Sequence, residues 1–244
     1  MELYGATDIG KVRDTNQDSY AIIRFDEQHA ALIVCDGMGG ANGGNIASQT
    51  AVEVIGSHLK EAFDPAFSDM QIEKLLDTAI HKANIAVFDK AQSDQTLAGM
   101  GTTVVTVILC KDRAYIAHAG DSRAYLLPKD GGLKQLTKDH SIVQQMLESG
   151  QITQREAEHH PKRNVITRAL GVGEALKIDM QQSAVQSGEK FMLCSDGLTN
   201  FVPALQMQAV LSENSPKEAC SQLVAMANEN GGGDNITVVI AALE

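Results

Sequence analysis

Leu32-Ile33-Val34-Cys35-Asp36-Gly37 is an apolar run that stops at an acidic corner, and Phe191-Met192-Leu193-Cys194-Ser195-Asp196-Gly197 repeats the arrangement. Short apolar runs ended by a glycine turn read as buried strands. A third corner runs the other way, since Gly231-Gly232-Gly233-Asp234-Asn235 opens the strand-like stretch from Ile236 to Ile240. Three carboxylates at the ends of buried strands, with glycines that let the backbone come close, suggest a site for hard cations and therefore phosphate chemistry. Taken singly, each Asp-Gly also reads as turn punctuation.

Around these corners, strand-like segments fall at 19–25, 30–35, 102–110, 113–118, 122–127, 177–182, 190–194 and 236–241. They come mostly as neighbouring pairs, which favours hairpins and antiparallel sheets. Helical periodicity runs from Ile46 to Ala62 and from Met70 to Ala91, where Ile72, Leu75, Leu76, Ala79 and Ala83 recur at threes and fours. Ser215-Pro216-Lys217-Glu218 is a capping box with proline at the first helical position, and opens a helix to about Asn228. Residues 140–173 are short-patterned and polar, with Gly150 and a second capping box at Thr153 to Glu156, and read as a flap leaving the sheet. No repeat or linker divides the chain, so one domain over 1–244 is expected.

The 244 residues suffice for one large core, and 43% hydrophobic with 21% charged residues is an ordinary globular balance. A formal charge of −11 weighs against a nucleic-acid ligand. Without a signal-like start or a membrane-length apolar run, the chain reads as soluble and cytoplasmic, with no membrane partner. Cys35, Cys110 and Cys194 lie in strand-like runs, as core thiols rather than disulfides.

Several near-matches fail. Gly5 to Lys11 has P-loop spacing, but Val12 stands where a hydroxyl must hold magnesium, and only four residues precede it. Asp14-x-Asn16-x-Asp18 imitates a calcium loop, yet Ser19 replaces its glycine and Phe25 its closing glutamate. The seven histidines show no paired zinc spacing, and His159-His160-Pro161 reads as loop surface.

What survives is an ordered set: Asp8 to Asp18, Asp36-Gly37-Met38-Gly39-Gly40, Gly99-Met100-Gly101-Thr102-Thr103, Gly120-Asp121-Ser122-Arg123, Ser195 to Thr199, and Gly233 to Val238. In these motifs, from Asp8 to Val238, the chain resembles the PPM family of metal-dependent, type 2C Ser/Thr protein phosphatases, and most of all its compact bacterial members. The resemblance implies an α+β fold, a four-layer α/β/β/α sandwich of two antiparallel sheets with a helix pair on each outer face. It implies two Mn2+ or Mg2+ ions, with Asp36 bridging them and the Gly37 carbonyl, Asp196 and Asp234 completing the protein ligands. Asp18 matches a position that holds coordinated water, Asp121 a third-metal ligand, and Arg13 the phosphate-binding arginine. Asp121 also reads as the closing residue of a hairpin, and Arg13 as a surface ion pair.

The residue types suit such a role. Oxygen ligands select Mg2+ or Mn2+ over zinc, two ions about 3.5 to 4 Å apart can share and acidify one water, and an arginine grips two phosphate oxygens at once. The expected activity is direct hydrolysis of phosphoserine or phosphothreonine on proteins by a metal-bridging water or hydroxide, opposing a bacterial Ser/Thr kinase, in a monomer. The alternative is a pseudophosphatase that binds phosphoprotein or a regulator without turnover. Two departures from the family pattern stand out. Met38 replaces a histidine that animal members carry as a candidate general acid, and Asn200 replaces an aspartate, which leaves the third metal weak or absent. Ala41 and Asn45 stand where relatives often have His and Glu.

Overall fold

Every second residue of the strand His29–Met38 faces a different layer, and both layers are apolar. Ala31, Ile33 and Cys35 pack into one buried cluster with helix residues, while Leu32 and Val34 enter a second cluster shared with the other sheet. That is why the run carries no polar alternation: both faces of the strand are covered. The computed structural model covers residues 1–244 and describes all of them except the side chains of residues 40–42 and 158, which include Gly40 and Ala41 named above.

One sheet joins β1 (Glu2–Asp8), β7 (Arg123–Leu127), β8 (Lys134–Gln135), β10 (Lys190–Cys194) and β11 (Ile236–Ala242) in the order β1-β11-β10-β7-β8. The other joins β2 (Asp18–Arg24), β3 (His29–Met38), β5 (Val104–Cys110), β6 (Arg113–Ala119) and β9 (Asp179–Ala184) in that order, with the short β4 (Gly101–Thr102) against β3. Neighbours pair antiparallel throughout the two orders. Between the sheets, Leu32, Val34, Val105 and Val107 meet Phe191, Leu193, Val239 and Ala241.

Helices α1 (Gly40–Ala62) and α2 (Asp69–Ser93) cover the second sheet, with Ala47, Ala51, Ile55 and Leu59 recurring every fourth residue on the inner face of α1. Ser68 and Gln71 form a capping box that starts α2. The first sheet carries α5 (Asp196–Thr199), α6 (Ala204–Glu213) and α7 (Pro216–Glu229), and the Ser215–Glu218 box starts α7 as its sequence signals. The four-layer sandwich expected from the resemblance is the fold observed.

Local departures have local causes. The expected strand 102–110 is split at Thr103, whose N–H leaves the ladder and donates to the Asp36 carbonyl at 2.8 Å. Helix α1 begins at Gly40 rather than Ile46, because its glycine-rich first turn hides the apolar period. Strand β9 starts two residues later than 177. A lead-in strand before the P-loop-like stretch does exist, contrary to expectation. It runs straight through Gly5 to Asp8, so that backbone is extended and forms no phosphate cradle. The flap segment contains α3 (Ile142–Glu148) and α4 (Gln154–Glu158) and is tied at its roots by bridges from Ser141 to Ile166 and from Thr102 to Leu170. Among the described residues no helix is long and apolar enough to cross a membrane.

Candidate metal centre

The corners seen in the sequence meet at one end of the sandwich. Asp18, first residue of β2, lies directly across from Asp36 in the β2–β3 register, and Asp196 follows the end of β10. Asp234 precedes β11, the neighbour of β10, and Asp121 sits between β6 and β7, which belong to different sheets. The hairpin reading of Asp121 is therefore overturned: the Gly120–Ser122 corner crosses from one sheet to the other.

A cleft of about 610 Å3 opens over this end, lined by Arg13, Asp36, Gly37, Met38, Asp121, Asp196 and Asp234, with Val12, Thr103, Asn164 and Ile166 around them. Glycines let its walls close up. A Cβ on Gly37 would run into the Gly44 carbonyl oxygen, and one on Gly197 into the Asn235 carbonyl oxygen.

Backbone and hydroxyl groups fix each carboxylate-bearing corner. The Asp36 N–H donates to Thr103 Oγ1 at 3.0 Å, and its carbonyl accepts from the Thr102 hydroxyl at 2.9 Å. Ser195 donates to Asp18 Oδ2 at 2.6 Å while its oxygen accepts the Thr237 N–H at 3.0 Å, which ties the two sheets beneath the site. Asn235 accepts the Gln17 N–H at 2.8 Å and donates to the carbonyls of Ile9 and Thr15, holding the Arg13 loop in place. Asn16 closes the same loop, accepting the Asp18 N–H at 3.1 Å and donating to Thr7 Oγ1 at 2.9 Å.

Charge is unbalanced here. Burial first, then the neighbouring Asp18 and Asp196, push the Asp36 carboxyl well above the usual carboxylate range. Burial, with Asp196 and Asp234 adding to it against the Ser195 and Thr237 hydrogen bonds, pushes Asp18 up to about 7. Burial and Asp196 push Asp121 up to about 8, and burial and Asp234 raise Asp196. The basic side chain among the described residues lining the cleft is Arg13, which donates to Asp234 Oδ2 at 2.9 Å with its side chain 53% exposed.

This donor set fits divalent cations. It is all oxygen, its ionisation is held back by burial and by neighbouring carboxylates, and Asp18 Oδ1 is buried without a hydrogen-bond partner. The Arg13 guanidinium paired with Asp234 is half exposed at the wall of the cleft.

A family model described as Protein phosphatase 2C matches residues 11–233. The chain belongs to the protein phosphatase 2C family. It is 39% identical over 235 residues to the serine/threonine phosphatase stp of Listeria welshimeri, covering 96% of this chain and 92% of that one. The Streptococcus agalactiae serine/threonine phosphatase structure is similar at TM-score 0.93 and 34% identity, over 100% of this chain and 99% of that one. The catalytic domain of the serine threonine protein phosphatase PstP, solved in complex with 2 manganese ions, is similar at TM-score 0.87 and 32% identity, over 99% and 97% of the two chains.

In this phosphatase 2C chain the expected residues Arg13, Asp36, Gly37, Asp121, Asp196 and Asp234 all line one cleft, and Asp18 lies beneath it. Asn200 donates to Asp196 Oδ2 at 3.0 Å, neutralising nothing but occupying one of its oxygens. Sequence reasoning missed Ile166 and Asn164, which reach the cleft from the flap. It also missed a cluster of His118, His140 and Asp179, whose potential ligand atoms lie within 4.8 Å of one another. Scanning for zinc spacing could not find it, because the three come from β6, the flap root and β9.

Proposed function

We propose that the protein is a metal-dependent protein serine/threonine phosphatase, acting on phosphoserine and phosphothreonine in proteins. Its membership of the phosphatase 2C family supports this, and the observation that carries it is the convergence of Asp36, Asp196, Asp234 and Arg13 in one cleft. A pseudophosphatase gains no support from a site that keeps all four.

In this reading Asp36, Asp196, Asp234 and the Gly37 carbonyl hold two Mn2+ or Mg2+ ions. When bound, the two ions supply an acidified water and offset the charge of the phosphate. Asp18, fixed by Ser195, keeps a buried, unpartnered Oδ1 beneath Asp36 and would take a hydrogen bond from cation-held water if the cations open room for it. Arg13 exchanges Asp234 for the substrate phosphate and orients it with two parallel N–H donors. Met38 has no proton to give a leaving alkoxide, so solvent in the cleft supplies it. A third cation at Asp121 is weak or absent, because Asn200, bonded to Asp196, offers only a neutral amide where a carboxylate would serve. The chain acts as one domain and as a monomer in the cytoplasm, opposing a Ser/Thr kinase, and the flap selects among phosphoproteins.

Hydrolysis of a phosphothreonine peptide by metal-stripped protein, titrated with Mn2+ and Mg2+, tests the reading. Turnover should require metal and fall by at least about 100-fold in Asp36→Asn and Asp234→Asn. Folded protein that binds the peptide and turns over nothing at any metal concentration would overturn it.

A further inference from the structure

The His118, His140, Asp179 group looks at first like a second metal site, but a cation already fills it. Arg168 Nη1 lies 2.6 Å from Asp179 Oδ1 and 2.9 Å from His140 Nε2. The two imidazoles also stack nearly parallel, 4.6 Å apart and 9° from coplanar, so their in-plane lone pairs do not converge. What the cluster does is fix one ring.

His140 faces donors at both nitrogens, and a neutral imidazole can accept at only one of them. Gly120 donates its N–H to Nδ1 at 3.1 Å, and Asp179 Oδ2 stands 3.3 Å from Nε2 as an acceptor. The Gly120 N–H requires Nδ1 to accept, which places the ring proton on Nε2 beside Asp179 Oδ2, while the nearby Arg168 guanidinium directs its own N–H to Asp179 Oδ1. His118 braces the ring face and donates through Nε2 to the Lys138 carbonyl at 2.9 Å. Burial first, then His118 and to a lesser extent Arg168, hold the His140 pKa below its ordinary value against the opposing hydrogen bond to Asp179.

The ring is clamped between two functional parts. On one side, His140 N–H also donates to the Gly120 carbonyl at 2.9 Å, which makes a two-bond clasp on the residue before Asp121. On the other, the His140 carbonyl accepts the Thr167 N–H at 2.7 Å, joining both roots of the flap at this residue. The far face of the same corner is held by Thr103, whose Oγ1 lies 2.7 Å from Ser122 Oγ and accepts the Asp36 N–H.

We propose that His140 is a positioning residue that locks the Gly120–Asp121 corner of the metal cleft to the roots of the flap. It rests on the phosphatase reading for its consequence, because a misplaced Asp121 matters through the cations the cleft holds. Asp179 offers the acceptor that favours a proton on Nε2, Arg168 holds Asp179 there, and His118 braces the ring face. A shift of the flap that moves residues 140 and 167 is thereby felt at Asp121.

The test compares His140→Asn, His140→Gln and His140→Ala. An asparagine Oδ1 reaches the place of Nδ1 and can accept the Gly120 N–H, whereas a glutamine reaches only the place of Nε2. Amide hydrogen exchange at Gly120 should quicken by about tenfold or more in the Ala and Gln variants and return toward the parent rate in Asn. Half-saturating Mn2+ for phosphothreonine peptide hydrolysis should rise about five- to tenfold in Ala and Gln, with Asn recovering most of the loss. Equal behaviour of Asn and Ala in folded protein, or unchanged Gly120 exchange in Ala, would overturn the proposal. Absence of turnover in the parent would sink the phosphatase reading instead, and Gly120 exchange would still decide the role of His140.

Discussion

Single residues decide whether the carboxylates can approach one another. Gly37 and Gly197 each leave room for a carbonyl of the facing segment where any Cβ would collide. Alanine at either should cost about 3 kcal/mol or more in a denaturant titration, since backbone, not a flexible side-chain tip, must yield. Ser195 is a second such residue, because one hydroxyl satisfies both buried Asp18 and the Thr237 N–H. Ser195→Ala should destabilise by about 1–3 kcal/mol in the same assay. Asn200 works in the opposite sense. Asn200→Asp should strengthen or add a cation-binding event in the Mn2+ calorimetric titration relative to the parent, as a further carboxylate joins Asp196 and Asp121. An unchanged Mn2+ titration would count against Asp121 as a third-site ligand.

At the level of elements, regular segments obey general propensities even beside an unusual site. Gly56 lies inside α1, and an alanine Cβ there would meet only Ile23 Cδ1 at 3.6 Å. Gly56→Ala should stabilise the protein by about 0.5–1 kcal/mol, read from the urea midpoint at unchanged slope. Such elements were legible in the sequence because period and caps speak locally: α2, α7, β3, β10 and β11 lie within a few residues of where their patterns put them. The site was legible through Asp-Gly corners and their order along the chain. The rest depended on distant segments. Thr103 breaks its strand because Asp36, far off in sequence, takes its N–H, and α6 is only ten residues long, with Leu205 exposed while Met207, Val210 and Leu211 are buried, so its apolar residues do not set out one face. The His118–His140 pair likewise exists only once β6 and the flap root are side by side.

For the whole molecule, the acidic cleft couples folding, protons and metal. In metal-free protein Asp18 and Asp121 keep their protons to about 7 and about 8, whereas unfolded aspartates ionise near about 3.9. The folded state therefore binds more protons between those limits, and its stability from these groups falls as pH rises from about 4 to about 8. Divalent cations take the place of those protons, so the rise in Tm on adding Mn2+ should grow between pH 5 and 8. A rise that is flat or shrinks over that range would speak against cations at these carboxylates. The sheet order carries a different kind of consequence. β11 lies between β1 and β10, so among the described residues β1 finds its strand partner in 236–242, and Asp234 arrives just ahead of it. During synthesis on the ribosome, β1 must wait for residues 236–242, far later in the sequence, before it gains its strand partner. A chain that stops short of Asp234 has neither a partner for β1 nor a complete cleft, so unfinished copies should be inactive until that segment has emerged.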